Sequence, residues 1–250
     1  MILEIKGLTR IFEGLVAVNE VSFGVKEHTI KALIGPNGAG KTTLFNMITG
    51  LLIPSRGTIL FKGTEMNSYP PHVRAGMGIS RTFQIIRPFA EMTVLENVMV
   101  GCHTRTSTGF AAAALRLPLF RRDEKKAHEK ALRELVFVGL DKKAKQMAGS
   151  LPMGEQRLME IARALASDPE LVLFDEPAAG LNEHETGQLA DDLLKIKERG
   201  ITILLVEHDM RMVMRVSDEI TVISYGTKIA QGTPQEVRNN PEVIAAYLGQ

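Results

Sequence analysis

The 250 residues contain a single cysteine, Cys102. One thiol cannot close an internal disulfide, so a disulfide scaffold is excluded. A chain of this length buries about three quarters of the surface its unfolded form exposes and needs no such staple. Excess charge of either sign is also missing, with 30 basic against 29 acidic side chains and a formal net charge of +1. Without a global basic field, nucleic acid is not expected as a partner. The basic run Arg121, Arg122, Lys125, Lys126 and Lys130 is interleaved with Asp123, Glu124 and Glu129, the pattern of a solvated helix face. No long hydrophobic run exists. The most apolar stretch, FAAAALRLPLF at 110–120, is broken by Arg116 and Pro118 and falls short of the about 18 residues of a membrane span. The start, MILEIKGLTR, has neither the basic end nor the apolar stretch of a signal peptide, so the expected location is the cytoplasm. His28, His72, His103, His128 and His184 have no metal-ligand spacing, and no metal is assigned to them.

What is present alternates between strand and helix patterns. Short strands are expected at 3–8, 21–26 and 29–35, followed by a helix from Lys41 that Gly50 stops, and further strands at 58–62 and 78–83. Helical spacing then dominates at 94–102 and 123–140, with an exposed, variable insertion around 103–122. After a helix at 154–166, buried-type strands are expected at 171–174, 201–207 and 219–224, with an amphipathic helix over 183–200. A last strand over 227–233 precedes two short helices near Pro234 and Pro241. Met210, Met212 and Met214 are expected to be helix packing. Strand, glycine loop and helix in succession indicate an α/β fold.

The chemistry is concentrated in two places. Gly35, Pro36, Asn37, Gly38, Ala39, Gly40, Lys41 and Thr42, followed by Thr43, fill the phosphate-loop pattern between an apolar strand and a helix. Several phosphate charges must be met by backbone N–H groups, which a glycine-rich turn can aim inward at the positive end of a helix. Lys41 adds a mobile charge, and the Thr42 hydroxyl suits Mg²⁺. Residues 171–176, LVLFDE, form an apolar strand that ends in two carboxylates. With a phosphate loop in the same chain, Asp175 is a candidate for the Mg²⁺ shell and Glu176 for polarising an attacking water. The expected activity is hydrolysis of a nucleoside triphosphate.

The ordered set of phosphate loop, Gln84, Leu151 to Arg157, Asp175-Glu176-Pro177, Ala178 to Asn182 and His208 resembles the nucleotide-binding subunit of ATP-binding-cassette (ABC) transporters over nearly the whole chain. The resemblance implies a P-loop NTPase with a mostly parallel central sheet, an antiparallel β subdomain and a helical subdomain. We expect one ABC ATPase domain, with an ATP-binding core over roughly 1–83 and 153–250 and a helical subdomain over roughly 84–152. It further implies ATP and Mg²⁺ as cofactors. Gln84 would contact Mg²⁺ and the attacking water, His208 the γ phosphate, and Phe12 would stack on adenine.

One element departs from the pattern. Where the family has Leu-Ser-Gly-Gly-Gln, this chain has Leu151, Pro152, Met153, Gly154 and Glu155, so a hydroxyl and a backbone N–H are absent at Pro152. Leu151, Gly154 and Glu155 remain the candidates that face ATP on a partner subunit. The region LPMGEQR, the run DEPAAGLN, the segment VEHDMRMVM and the ending GTPQEVRNNPEVIAAYLG look like the first ATP-binding protein of bacterial branched-chain amino-acid importers. That resemblance implies a second, non-identical ABC ATPase, two transmembrane permease subunits and, through the complex, a periplasmic or extracellular binding protein. It also implies a peripheral position on the cytoplasmic face of the plasma (inner) membrane. A lipid or polysaccharide exporter and a soluble ABC ATPase without a transport role are the alternatives.

Overall fold

The computed structural model describes residues 1–102 and 118–248, and they fall into two compact units, 1–81 with 170–250 and 82–169. The insertion expected around 103–122 lies largely outside the described residues.

The first unit holds two sheets. Strands β1 (Leu3–Phe12), β2 (Leu15–Val25), β4 (Arg56–Phe61) and β5 (Thr64–Glu65) form an antiparallel sheet in the order β2-β1-β4-β5. Strands β1 and β2 are longer than their sequence patterns suggest. Glu13 and Gly14 both sit in the left-handed region, φ 45° and 97°, and close a tight hairpin whose twist matches the strands. The second sheet has the order β10-β9-β3-β8-β7-β6 and comprises β3 (Ile30–Ile34), β6 (Ile79–Arg81), β7 (Leu171–Asp175), β8 (Thr202–Val206), β9 (Glu219–Ser224) and β10 (Thr227–Gly232). All of its neighbours pair in parallel except β10 with β9. Every residue of β3, β7 and β8 is buried, which is why these strands read as continuous apolar runs.

The α1 helix (Lys41–Ile48) contributes Leu44, Phe45, Met47 and Ile48 to a core that also contains Leu3 and Ile5 of β1 and Leu33, Leu173 and Val206 of the parallel sheet. Its C-terminal carbonyls are met by Arg74 of α2 (Pro71–Gly76), a helix that the sequence pattern did not suggest. The fully buried guanidinium donates to the carbonyls of Met47 and Ile48 at 2.7 and 2.8 Å and to that of Met66 at 2.6 Å. Alternation along β3 and β9 turns Ala32, Ile34, Ile220 and Val222 toward a second cluster. That cluster includes Val213 of α7 (Met210–Val216), Val237 of α8 (Pro234–Arg238) and Val243 of α9 (Pro241–Leu248). Met210 and Met214 pack against it, as expected for flexible fillers. A capping box from Asn182 starts α6 (Glu183–Glu198).

The second unit packs α3 (Val94–Cys102) against α4 (Pro118–Phe137) and α5 (Met153–Leu165). Gly101 permits the closest approach. A Cβ there would stand 2.1 Å from the Arg163 carbonyl oxygen. Because α5 lies within this unit, the division falls at 169/170 and not at the expected 153. In sequence the helical pattern of 154–166 leads straight into the strand that follows it, whereas in the fold this helix packs against α3 and α4.

Candidate nucleotide site

Strand β3 delivers the chain into Gly35 at the C-terminal end of the parallel sheet. Two loop glycines are required by space as well as by conformation. A Cβ at Gly35 (φ 155°) would lie 2.0 Å from the Ile223 carbonyl oxygen, and one at Gly40 (φ 100°) 2.7 Å from that of Ala17. Pro36 and Ala39 are buried, whereas Asn37 and Gly38 are exposed at the tip. At the start of α1, Thr42 is exposed, Thr43 is half-buried, and the first turn carries no acidic residue to compete with an anion.

Lys41 is buried, and its Nζ donates to the carbonyls of Gly35 at 2.6 Å and Pro36 at 2.9 Å. Burial lowers its pKa, while the nearby carboxylates Glu176 and Asp175 act in the opposite direction. Its charge is thus held beneath the loop, within the field of the acidic strand end.

At that strand end, Asp175 is buried and accepts from Arg81 Nη2 at 2.7 Å, an ion pair whose partners are 4% and 6% exposed. The other terminal nitrogen, Nη1, donates to Asn46 Oδ1 at 2.7 Å and Thr49 Oγ1 at 3.2 Å. Arg81 therefore ties the last residues of β6 and β7 to the C-terminal half of α1. Glu176 adopts φ 49°, a left-handed conformation that costs a residue with a Cβ about 1–3 kcal/mol. Its N–H donates to the Val206 carbonyl at 2.9 Å, and its Oε1 lies 2.9 Å from His208 Nε2. The structure thus brings together Glu176 and His208, two residues 32 positions apart in the chain. Asp209, beside His208, caps α7 by accepting from the N–H groups of Arg211 and Met212.

Glu207 was not singled out in the sequence. It is buried, and its carboxylate accepts from the Ala178 N–H at 2.6 Å through Oε1 and from the His208 N–H at 2.8 Å through Oε2. Burial raises its pKa, against the pull of these backbone donors.

Phe12 stands half-buried at the end of β1. The Arg10 guanidinium lies 4.6 Å from its ring centroid and donates to the Ile53 carbonyl at 2.7 Å, so one ring face already has a cationic neighbour.

Gln84 belongs to the second unit, where α5 grips its backbone. Arg157 donates to the Phe83 carbonyl at 2.8 Å and the Gln84 carbonyl at 3.0 Å, and Glu160 accepts from the Phe83 N–H at 3.3 Å. Burial raises the Glu160 pKa, opposed by the Phe83 N–H and by Arg157 and Arg163. Leu151 is buried, Pro152 occupies the N-cap of α5 without a side-chain cap, and Met153 is exposed. Gly154 is half-buried. Glu155 turns its carboxylate to Lys143 Nζ, 2.6 Å from each oxygen, so its charge is neutralised within its own unit. Sequence spacing gives no sign of that partner, which sits on a single-turn 3-10 helix at Asp141–Lys143.

A glycine loop between a buried parallel strand and a helix, with an acidic strand end in the same sheet, defines a P-loop nucleoside triphosphatase. Comparison with known proteins narrows the class. A family model described as ABC transporter matches residues 18–179, and one described as branched-chain amino acid ATP-binding cassette transporter matches residues 227–250. The chain belongs to the ABC transporter ATPase family. It is 47% identical over 250 residues to the high-affinity branched-chain amino acid transport ATP-binding protein BraF of Pseudomonas aeruginosa, covering 100% of this chain and 98% of that protein. LivG of Escherichia coli K12, which carries the same description, is 46% identical with the same coverage. Among solved structures, a nucleotide-free ATP-binding cassette from an ABC transporter matches with a TM-score of 0.87 and 32% identity, covering 100% of this chain and 99% of that one. The ADP conformation of such a cassette gives the same values.

Proposed function

We propose that this chain is the ATP-hydrolysing subunit of a membrane importer for branched-chain amino acids. The contact between Glu176 and His208 carries the catalytic part of this reading. It sets a carboxylate and an imidazole side by side at the end of the sheet that also presents the phosphate loop. The cargo is inferred from the printed names of the full-length relatives.

In this reading the loop from Gly35 to Thr43 binds the phosphates, Phe12 receives the adenine, and Lys41 exchanges its loop carbonyls for phosphate oxygens. Mg²⁺, when bound, neutralises phosphate charge. Thr42 and Asp175 fit it as hard oxygen donors, with Gln84 in the sensing role the resemblance implies. Glu176 takes the proton of the water that attacks the γ phosphorus, and its left-handed backbone fixes where the carboxylate points. Lys41 and His208 stabilise the charge that develops on the phosphoryl oxygens. Leu151, Gly154 and the start of α5 face the ATP of a second, non-identical ATPase subunit. The two ATPases sit on the cytoplasmic face of the membrane, beneath two transmembrane permeases that meet a periplasmic or extracellular binding protein on the other side.

The test is Glu176→Gln in the assembled complex. ATP binding should persist while hydrolysis falls by about 10²–10⁴, the usual worth of a general base. Uptake of labelled leucine into vesicles should fall with it. Turnover at the parent rate would remove Glu176 from the role, and parent ATPase without branched-chain amino-acid uptake would remove the cargo.

A further inference from the structure

Strands β7 and β8 lie side by side, with Asp175 opposite Val206. The next residues are Glu176 on one strand and Glu207 on the other, after which both chains leave the sheet. The Glu176 N–H to Val206 carbonyl bond extends the pairing by one step. Past that step the Glu207 carboxylate bridges the two departing segments. Oε1 takes the Ala178 N–H at 2.6 Å, two residues after Glu176, and Oε2 takes the N–H groups of His208 at 2.8 Å and Asp209 at 3.3 Å. The residue is 4% exposed, and no Lys or Arg pairs with it among the described residues. A carboxylate is removed from water here to satisfy three backbone donors, a costly arrangement unless those bonds fix something.

We propose that Glu207 is a positioning residue, a buried brace that holds the segment after Glu176 and the segment starting at His208 in one mutual geometry, so that base and histidine act as a unit. The proposal rests on the reading of Glu176 and His208 as the groups that work on ATP. A carboxylate suits the task because all its lone pairs accept. A glutamine offers one acceptor oxygen, and its NH₂ would face either the Ala178 N–H or those of His208 and Asp209.

The experiment is Glu207→Gln, alone and combined with His208→Ala, in the full complex. Alone, it should lower kcat by about tenfold or more and leave KM for ATP within about twofold, since the phosphate loop is untouched. In the His208→Ala background it should add less than about twofold, because the mutual geometry of base and histidine that it fixes no longer has a second member. Equal effects in both backgrounds, or parent kcat in Glu207→Gln, would overturn the proposal. Should Glu207→Gln not fold, Glu207→Asp keeps two acceptor oxygens on a shorter stem and should retain intermediate kcat; the parent value there would be equally damaging. A readout independent of turnover separates this proposal from the function it rests on. The His208 imidazole resonances should shift in Glu207→Gln while those of distant residues stay in place. Unmoved His208 resonances sink the brace whatever the ATPase result, whereas shifted resonances in a protein without ATPase activity sink the functional reading and leave the brace.

Discussion

Arg81 shows how much of a site can rest on a side chain that performs no chemistry. Its guanidinium neutralises Asp175 in a place where both are almost fully buried, and Asn46 and Thr49 satisfy its other terminal nitrogen. A buried pair is a weak source of net stability, but removing one partner strands the other charge, which costs about 3–5 kcal/mol. Arg81→Met should therefore destabilise the chain by that order in urea unfolding. Arg81→Met combined with Asp175→Asn should cost clearly less than the sum of the two single changes, since no charge is then left uncompensated. Strict additivity would show that the pair is not coupled. Lys41 presents the opposite case. Its partners are two neutral loop carbonyls, so turning its ammonium toward a phosphate leaves no opposite charge uncompensated.

Among the elements, legibility followed the range over which each signal acts. The phosphate loop and the strand ending in Asp175 and Glu176 were readable because adjacent residues carry the whole pattern, and β3, β7 and β8 because burial on both faces makes them uniformly apolar. Arg74, Arg81, Arg157 and Glu207 were not readable. Each bonds groups 26 to 94 positions away that only the fold brings near. Helix α5 groups with α3 and α4, and the sequence pattern gives no sign of this for the same reason: its hold on Phe83 and Gln84 has no local trace. That hold has a pH signature. Burial raises the Glu160 carboxyl above its unfolded value. Below the unfolded value the group is protonated in both states; as pH climbs from there to the folded value the unfolded chain ionises first, and stability is lost. Glu160→Gln cannot ionise and should flatten this decline in urea unfolding followed between about pH 4 and pH 7. An unchanged slope would mean that Glu160 is not the group responsible.

For the molecule as a whole, the question is how one chain completes another's site, and Pro152 gives a way to ask it. Proline at the N-cap of α5 supplies neither a hydroxyl nor an N–H, and no side chain caps the helix in its place. Pro152→Ser restores both groups, with two separable consequences. A serine cap should stabilise α5 by about 0.5–2 kcal/mol, and this gain should appear in the thermal melt of the isolated chain. Donation to phosphate is a different effect. Under the proposed pairing this loop meets ATP held by the other subunit, so ATP affinity of the isolated chain should not change. In the assembled complex, the same substitution should lower KM for ATP, because the composite site gains a donor. Isothermal titration of the isolated chain and ATPase kinetics of the complex together distinguish the cases. Tighter ATP binding by the isolated chain would place the loop against its own nucleotide, and an unaltered KM in the complex would leave Pro152 with no part in the shared site.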